Sequence, residues 1–340
     1  MTTTRPRQTP SCSASLDVLH LETLWLRATR RVPDHTPGQW FHDRVVLEGL
    51  GLALEETLQY LALERPTLAE FTQWILARND GHIEKQQIER INCTISGLDY
   101  NDELKSAIQA IEQSDPVLSA PELAFWNENG YVILHDAITA EACRDAEAAV
   151  WNYLAMDRTD PNTWYKVSTH GIMRQFFHHP ALRANRKSAR IHKAFSQIWG
   201  TADLWMTVDR VSFNPPERRD WKFPGPQLHW DTTLAKPIPF GVSGLIYLTD
   251  TENEQGAFTC VPGFHRRIDE WLDRLPPETD PRREDLESLG ATAVAGRAGD
   301  LIIWNKALPH GSRPNRATRP RIVQYLSMHP ARCETRSHWR

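Results

Sequence analysis

Two hydrophobic periods divide the chain. From Leu16 to about Ser114 apolar residues recur at helical spacing. Val18, Leu21, Leu24 and Trp25 make one stripe, and Val45, Leu47, Leu50, Leu52 and Leu54 begin a second that runs to Leu63. Pro66 and Thr67 open a further helix with Phe71, Trp74, Ile75 and Leu76 on its apolar side; Asn79-Asp80-Gly81 is a turn, and helices are expected over 85–95 and 103–111. Helix, turn and strand follow over 122–134. Thr139 is placed to cap a helix over 140–154, and a helix over 191–199 stops at Gly200. Beyond Leu204 the period shortens to that of strands, expected at 205–213, 228–231, 242–248, 258–261, 300–304 and 321–327 between Pro/Gly turns. Short strands so punctuated suit an antiparallel barrel or sandwich. An acidic, proline-broken insertion at 269–289 reads as a lid or as surface decoration.

This pattern predicts three regions. Residues 1–15, rich in Thr, Pro, Ser and Arg, read as a disordered tail, and 16–115 as a helical N-terminal domain. Asp115-Pro116 and Pro121 mark the boundary to a β-rich domain at 116–340. The helical block has neither a metal-ligand cluster nor a phosphate-binding glycine loop. Packing, or pairing of two copies into a homodimer, is therefore preferred there over substrate recognition.

Composition narrows the function classes. A net charge of −4 gives no electrostatic case for nucleic acid or an anionic membrane. No apolar run is long enough to span a bilayer, and the residues after Met1 lack the apolar core of a secretory signal. Five scattered cysteines without a C-x-x-C pair indicate neither zinc nor a disulfide framework, so a cytoplasmic protein with reduced thiols is expected. No G-x-G-x-x-G follows a strand, which argues against a dinucleotide fold.

The chemistry-bearing stretch is Gln227-Leu228-His229-Trp230-Asp231. In an extended segment His229 and Asp231 share a face about 7 Å apart. One imidazole and one carboxylate on one face supply two positions of a 2-His-1-carboxylate triad, the arrangement that leaves coordination sites open on non-haem iron. The third position has three candidates: His310, His265 and His329. Trp230 faces the other way and reads as core.

Further residues carry a family resemblance. His229-Trp230-Asp231 is followed by His310-Gly311-Ser312 and, eleven positions after His310, by Arg321. Between them, the stretch from Gly256 to His265 ends in a Pro-Gly-x-His turn, and Gly299-Asp300-Leu301-Ile302-Ile303-Trp304 leads toward His310. In that order and spacing these pieces resemble the phytanoyl-CoA dioxygenase family of Fe(II)/2-oxoglutarate oxygenases, over roughly residues 120 to 330. The resemblance implies an α+β fold: a double-stranded β-helix (jelly-roll, cupin-like) core with flanking helices. It implies iron held by His229, Asp231 and His310, with 2-oxoglutarate and O₂ as co-substrates. Arg321, with Arg319 as fallback, takes the distal carboxylate of 2-oxoglutarate, a pairing suited to a buried guanidinium. Ser312 adds a hydroxyl there, Tyr247 stands where an aromatic often adjoins the co-substrate, and Gln227 shares the ligand face.

The expected activity is that of a 2-oxoglutarate-dependent dioxygenase hydroxylating a small metabolite or biosynthetic intermediate, with succinate and CO₂ as co-products. Three alternatives stay open: oxidation of a carrier-tethered acyl group, a cupin-type metal enzyme without 2-oxoglutarate, and a non-catalytic interaction protein. Retention of Asp231 argues against a halogenase. For substrate contacts, Tyr165, Lys166, Arg174, Gln175, Arg218, Arg219 and Lys222 are polar or cationic, but solvated loop charge is the preferred reading of them.

Overall fold

The computed structural model describes residues 16–31, 39–165 and 171–332; the expected tail at 1–15 and Lys166 lie outside them. The chain begins with helices α1 (Leu21–Ala28), α2 (Gln39–Gly49), α3 (Leu54–Glu64), α4 (Leu68–Arg78), α5 (Lys85–Ser96) and α6 (Asp102–Gln113). Then come α7 (Ala120–Asn129), β1 (Tyr131–Leu134), α8 (Ala140–Leu154), β2 (Met173–Arg174), α9 (Pro180–Arg186) and α10 (Ala189–Trp199). The remainder is β3 (Leu204–Met206), β4 (Val211–Asn214), β5 (Val242–Tyr247), β6 (Phe258–Cys260), α11 (Ile268–Arg274), β7 (Thr292–Val294), β8 (Leu301–Asn305), β9 (His310–Gly311), β10 (Arg321–Leu326) and β11 (Met328–Pro330).

Six antiparallel strands form the major sheet in the order β1-β8-β5-β10-β4-β2, and β7-β6-β9 form the minor one. The two-residue period of each central strand decides which layer its side chains enter. Leu245 and Tyr247 of β5, Ile302 and Trp304 of β8 and Val323 of β10 pack with Phe258, Cys260 and Val294 of the minor sheet. Their neighbours Ile246, Leu301, Ile303 and Ile322 pack instead against α8 and α10 through Ala146, Val150, Ile191 and Phe195. The strands are therefore buried on both faces, and the two sheets enclose the core of a double-stranded β-helix.

A second core joins α1 to α5 through Leu24, Val45, Leu61, Phe71, Ile75 and Ile91, and takes in Trp205 of β3 and Ala331. Arg90 of α5 reaches Asp203 at 2.8 Å and lies over the Trp205 ring. Local sequence explains several helix starts. Thr67 and Ser119 each form a capping box with the glutamate three residues on, and Thr139 accepts a bond from the Ala142 amide. Among the described residues no helix is long and apolar enough to cross a membrane.

Several elements depart from the sequence expectation. The apolar run from Val45 to Leu63 is two helices, because the chain turns at Gly51, whose φ of +62° suits glycine. The strand expected at 205–213 is split into β3 and β4. The strand expected at 228–231 is a single bridge residue, His229, opposite His310. Pro224 and Pro226 just before it bring no N–H to a ladder. The insertion at 269–289 holds α11 and two short 3-10 turns.

Candidate metal centre

His229 and His310 face each other across that isolated bridge. The amide of each donates to the carbonyl of the other at 2.9 Å, and the ring centroids are 4.8 Å apart. Each ring is then fixed by its own backbone: Nδ1 of His229 lies 2.8 Å from the Gln227 carbonyl, and Nδ1 of His310 lies 3.0 Å from that of Leu308. A carbonyl only accepts, so each Nδ1 carries the proton and each Nε2 presents a lone pair. Nε2 of His229 is 3.5 Å from Asp231 Oδ1, and Nε2 of His310 is 3.3 Å from Oδ2. The three residues can bring one ligand atom each within 4.8 Å of one another.

Two nitrogen lone pairs aimed at a carboxylate are acceptors facing acceptors, and the arrangement needs a cation between them. Protons can fill that need. Desolvation works against the charge on Asp231, but the two imidazoles outweigh it and hold the carboxyl well below the usual carboxylate range. For His229 desolvation likewise opposes the charged form, and the Asp231 carboxylate outweighs it to raise the imidazole's pKa. A divalent ion satisfies all three groups at once. Two imidazoles and one carboxylate on one side of an open cavity are the donor set of a facial triad, so the residues present fit iron.

A cavity of about 280 Å³ opens beside the three residues. Ser312 and Tyr325 line it, and behind them stands Arg321, fully buried. Its guanidinium donates to the hydroxyls of Ser312 at 2.8 Å, Ser212 at 3.1 Å and Tyr325 at 3.2 Å, and to the Gly256 carbonyl. Among the described residues no carboxylate comes within 4 Å of it. A buried cation ringed by neutral oxygens is matched to an anion supplied from outside the chain. Arg319, its rival, is exposed.

The other expected site residues are placed differently. Tyr247 lies within the core between the two sheets, where its hydroxyl donates to the Val294 carbonyl at 2.7 Å and accepts from the Phe258 amide at 2.9 Å. Burial raises its pKa, and with both bonds committed it does not line the cavity. The side chain of Gln227 is exposed; only its carbonyl serves the site, as the brace for His229. The two-residue period failed to place Gln227 with the ligands because this segment is not a strand. His265 packs over Gly130, with its Nε2 3.3 Å from the Asn127 carbonyl, and His329 bonds Glu48 at 3.0 Å. Neither lies with the triad.

Three of the polar residues weighed as substrate contacts are tied elsewhere. Tyr165 donates to the Pro216 carbonyl, Arg174 to those of Gly171 and Met173, and Arg218 pairs with Asp220 while lying over Tyr165. Tyr325 was missed, although Arg321, Val323 and Tyr325 share one face of β10 by the same two-residue period. Ser212 carries no such signal; the pairing of β4 with β10 brings it there.

Comparison with known proteins gives a consistent picture. A family model described as phytanoyl-CoA dioxygenase (PhyH) matches residues 126–323, more than half of the chain. A putative phytanoyl-CoA dioxygenase of Dictyostelium discoideum is 23% identical over 259 residues, 61% of this chain and 74% of the relative. An ectoine dioxygenase of Nocardia farcinica is 25% identical over 248 residues, 64% and 80% of the two chains. Among solved structures, HygX from Streptomyces hygroscopicus with nickel and 2-oxoglutarate bound is similar at a TM-score of 0.45 and 15% identity, over 63% of this chain and 88% of that one.

Proposed function

The chain belongs to the phytanoyl-CoA dioxygenase family and is a 2-oxoglutarate-dependent non-haem iron dioxygenase acting on small molecules; from that premise we propose which residues perform the work. His229, Asp231 and His310 hold the iron, and Arg321 with Ser312 and Tyr325 holds the distal carboxylate of 2-oxoglutarate. The reaction is hydroxylation of a small metabolite or biosynthetic intermediate, with succinate and CO₂ as co-products.

When bound, the iron supplies the oxygen activation and the radical chemistry that no protein side chain offers. What the chain supplies is position and polarity. The Gln227 and Leu308 carbonyls fix the ring orientation of the two histidines, so the ligand set is formed before the metal arrives. Arg321 is fixed by four oxygens and pays little ordering entropy when a carboxylate docks on it. Phe258 and Trp304 wall the cavity with apolar surface, which limits water at the reacting centre.

The observation that carries this reading is the buried Arg321 without an anion, set behind Ser312 and Tyr325 in the wall of the cavity that holds the three converging ligands. Its test is succinate release in air. Release should require both Fe(II) and 2-oxoglutarate, and Arg321→Met should raise the KM for 2-oxoglutarate by roughly 10- to 100-fold, the worth of a charge-assisted pair. An unchanged KM in that variant, or oxygen consumption without 2-oxoglutarate, would overturn it.

A further inference from the structure

Next to the triad cavity lies a larger chamber of about 580 Å³, within the roughly 300–1,000 Å³ typical of sites for drug-sized ligands. Asp209, Arg210 and Asp231 line both, so the chamber adjoins the metal centre at the ligand carboxylate itself. One side of it is built by the N-terminal helices: Trp40 of α2, Leu52 in the following turn and Leu54 of α3. All three lie outside the segment that the family model matches. Phe177, Trp199 and Phe240 face them, with the Trp199 and Phe240 rings 4.8 Å apart. Phe240 is 50% exposed, a large apolar side chain left open at the chamber wall.

Most charges in this wall already have partners. Glu48 bonds His329 and lies 3.9 Å from Arg44, Glu55 pairs with Arg210, and Asp231 faces the two histidines. Asp209 accepts from the Arg210 amide at 2.7 Å. Lys306 differs. Its backbone N–H bonds the Gly241 carbonyl, and its side-chain stem lies over Gly241, where even a Cβ would come within 3.2 Å of its Cδ. Its residue lines the chamber, and its ammonium has, among the described residues, no hydrogen bond or ion pair within 4 Å. Burial depresses its pKa, with Asp231, Glu48 and Asp209 opposing that from longer range.

We propose that this chamber is the substrate site, that it takes a molecule with an apolar body and one anionic group, and that Lys306 binds the anionic group while α2 and α3 cover the apolar body. An ammonium without a partner, in a wall whose other charges are mostly paired, gains most from an anion that also brings apolar surface to Trp40, Leu52, Leu54 and Phe240. Specificity is then shared between Lys306 and the helices α2 and α3, which lie outside the segment that the family model matches. The inference rests on the proposed function only in assigning the contents of the neighbouring cavity; the chamber and its cation are independent of it.

The test uses the full chain and two fluorescent probes with one skeleton, anionic 1-anilinonaphthalene-8-sulfonate and neutral N-phenyl-1-naphthylamine. Lys306→Met should weaken the anionic probe roughly 10- to 100-fold and leave the neutral one within about twofold. Lys306→Arg, which keeps the charge, should restore most of the difference. Leu54→Trp, at a side chain exposed enough to accept a larger one, should weaken both probes by filling the chamber. Equal binding of the two probes by the native chain would overturn the proposal, as would a Lys306→Met effect common to both, or no effect of Leu54→Trp. The iron-dependent absorption with 2-oxoglutarate should persist in all three variants. Its loss from the native chain as well would strike the proposed function and leave the probe result standing.

Discussion

Gly311 follows His310 in β9, and its substitution by alanine tests how the two histidines are held. A Cβ there would lie 2.6 Å from the Gln227 carbonyl oxygen, 2.9 Å from its carbon and 3.2 Å from the Leu228 nitrogen. All three obstacles are backbone, so no side chain can swing aside. Reaching ordinary contact at 3.4 Å requires a shift of about 0.8 Å (3.4 − 2.6) between the two segments. The paired His229–His310 amide bonds, now 2.9 Å, would stretch to roughly 3.7 Å, beyond hydrogen-bond range. Overpacking of this kind costs about 1–3 kcal/mol, or roughly 2–6 °C in Tm for a chain of this size. The larger consequence is at the metal. The same carbonyl that must move braces the His229 ring, and loss of such a brace weakens metal binding about 10- to 100-fold. The assay is competition of the apo-protein with a chelator for Co(II), read beside a thermal melt. Co(II) affinity within threefold of the native protein, at any Tm, would refute the idea that this bridge sets the ligand geometry.

Other outcomes follow from the same contacts. Tyr247→Phe should leave the KM for 2-oxoglutarate unchanged, yet cost about 1–3 kcal/mol in denaturant unfolding, because the Val294 carbonyl and Phe258 amide would be left buried without a partner. Acid should loosen the helical block through His20. Burial, then the charge of Arg27, lowers its pKa to about 4, since Arg27 already answers the Asp43 carboxylate 2.8 Å from the ring. A folded pKa below the unfolded one means that the unfolded chain takes up the proton first. Stability should therefore be level above about pH 6.5 and fall between there and pH 4, by at most about 3 kcal/mol from this group. The slope should flatten in His20→Gln, and an unchanged unfolding profile in that variant would rule the contribution out. Gln227→Ala, at an exposed side chain, should bind Co(II) as the native chain does, since only the backbone carbonyl is used.

What was legible in the sequence is what short spacing and strand period encode. His229 and Asp231 are two residues apart, and the apolar runs of β5, β8 and β10 mark the central strands of the major sheet. His310 was singled out from His265 and His329 only by the family resemblance, through His310-Gly311-Ser312 and the eleven-residue interval to Arg321, and Arg321 also opens an apolar strand. Three features were not legible for identifiable reasons. The segment at 228–231 has strand-like composition, but the prolines before it leave it only one bridge. Tyr247, weighed as an aromatic beside the co-substrate or as core, proves to be core, and only the tertiary positions of Val294 and Phe258 reveal that its hydroxyl is already used. The chamber brings Trp40, Leu52 and Leu54 to Asp231 and Lys306 across most of the chain's length. That contact depends on how α2 and α3 pack on the barrel, and no local pattern reports it. The helical block, read from sequence as packing or pairing surface, therefore also forms the wall of a cavity at the metal centre.

Iron held by His229, Asp231 and His310 beside a cavity for 2-oxoglutarate is the proposal on which the others depend. The direct measurement is anaerobic titration of the apo-protein with Fe(II) and then 2-oxoglutarate, followed in the visible range. A metal-to-ligand charge-transfer band should appear only when both are present. It should vanish in His229→Ala and need far more 2-oxoglutarate in Arg321→Met. A folded native protein that binds Fe(II) but develops no such band, or a band that survives in His229→Ala, would contradict the account.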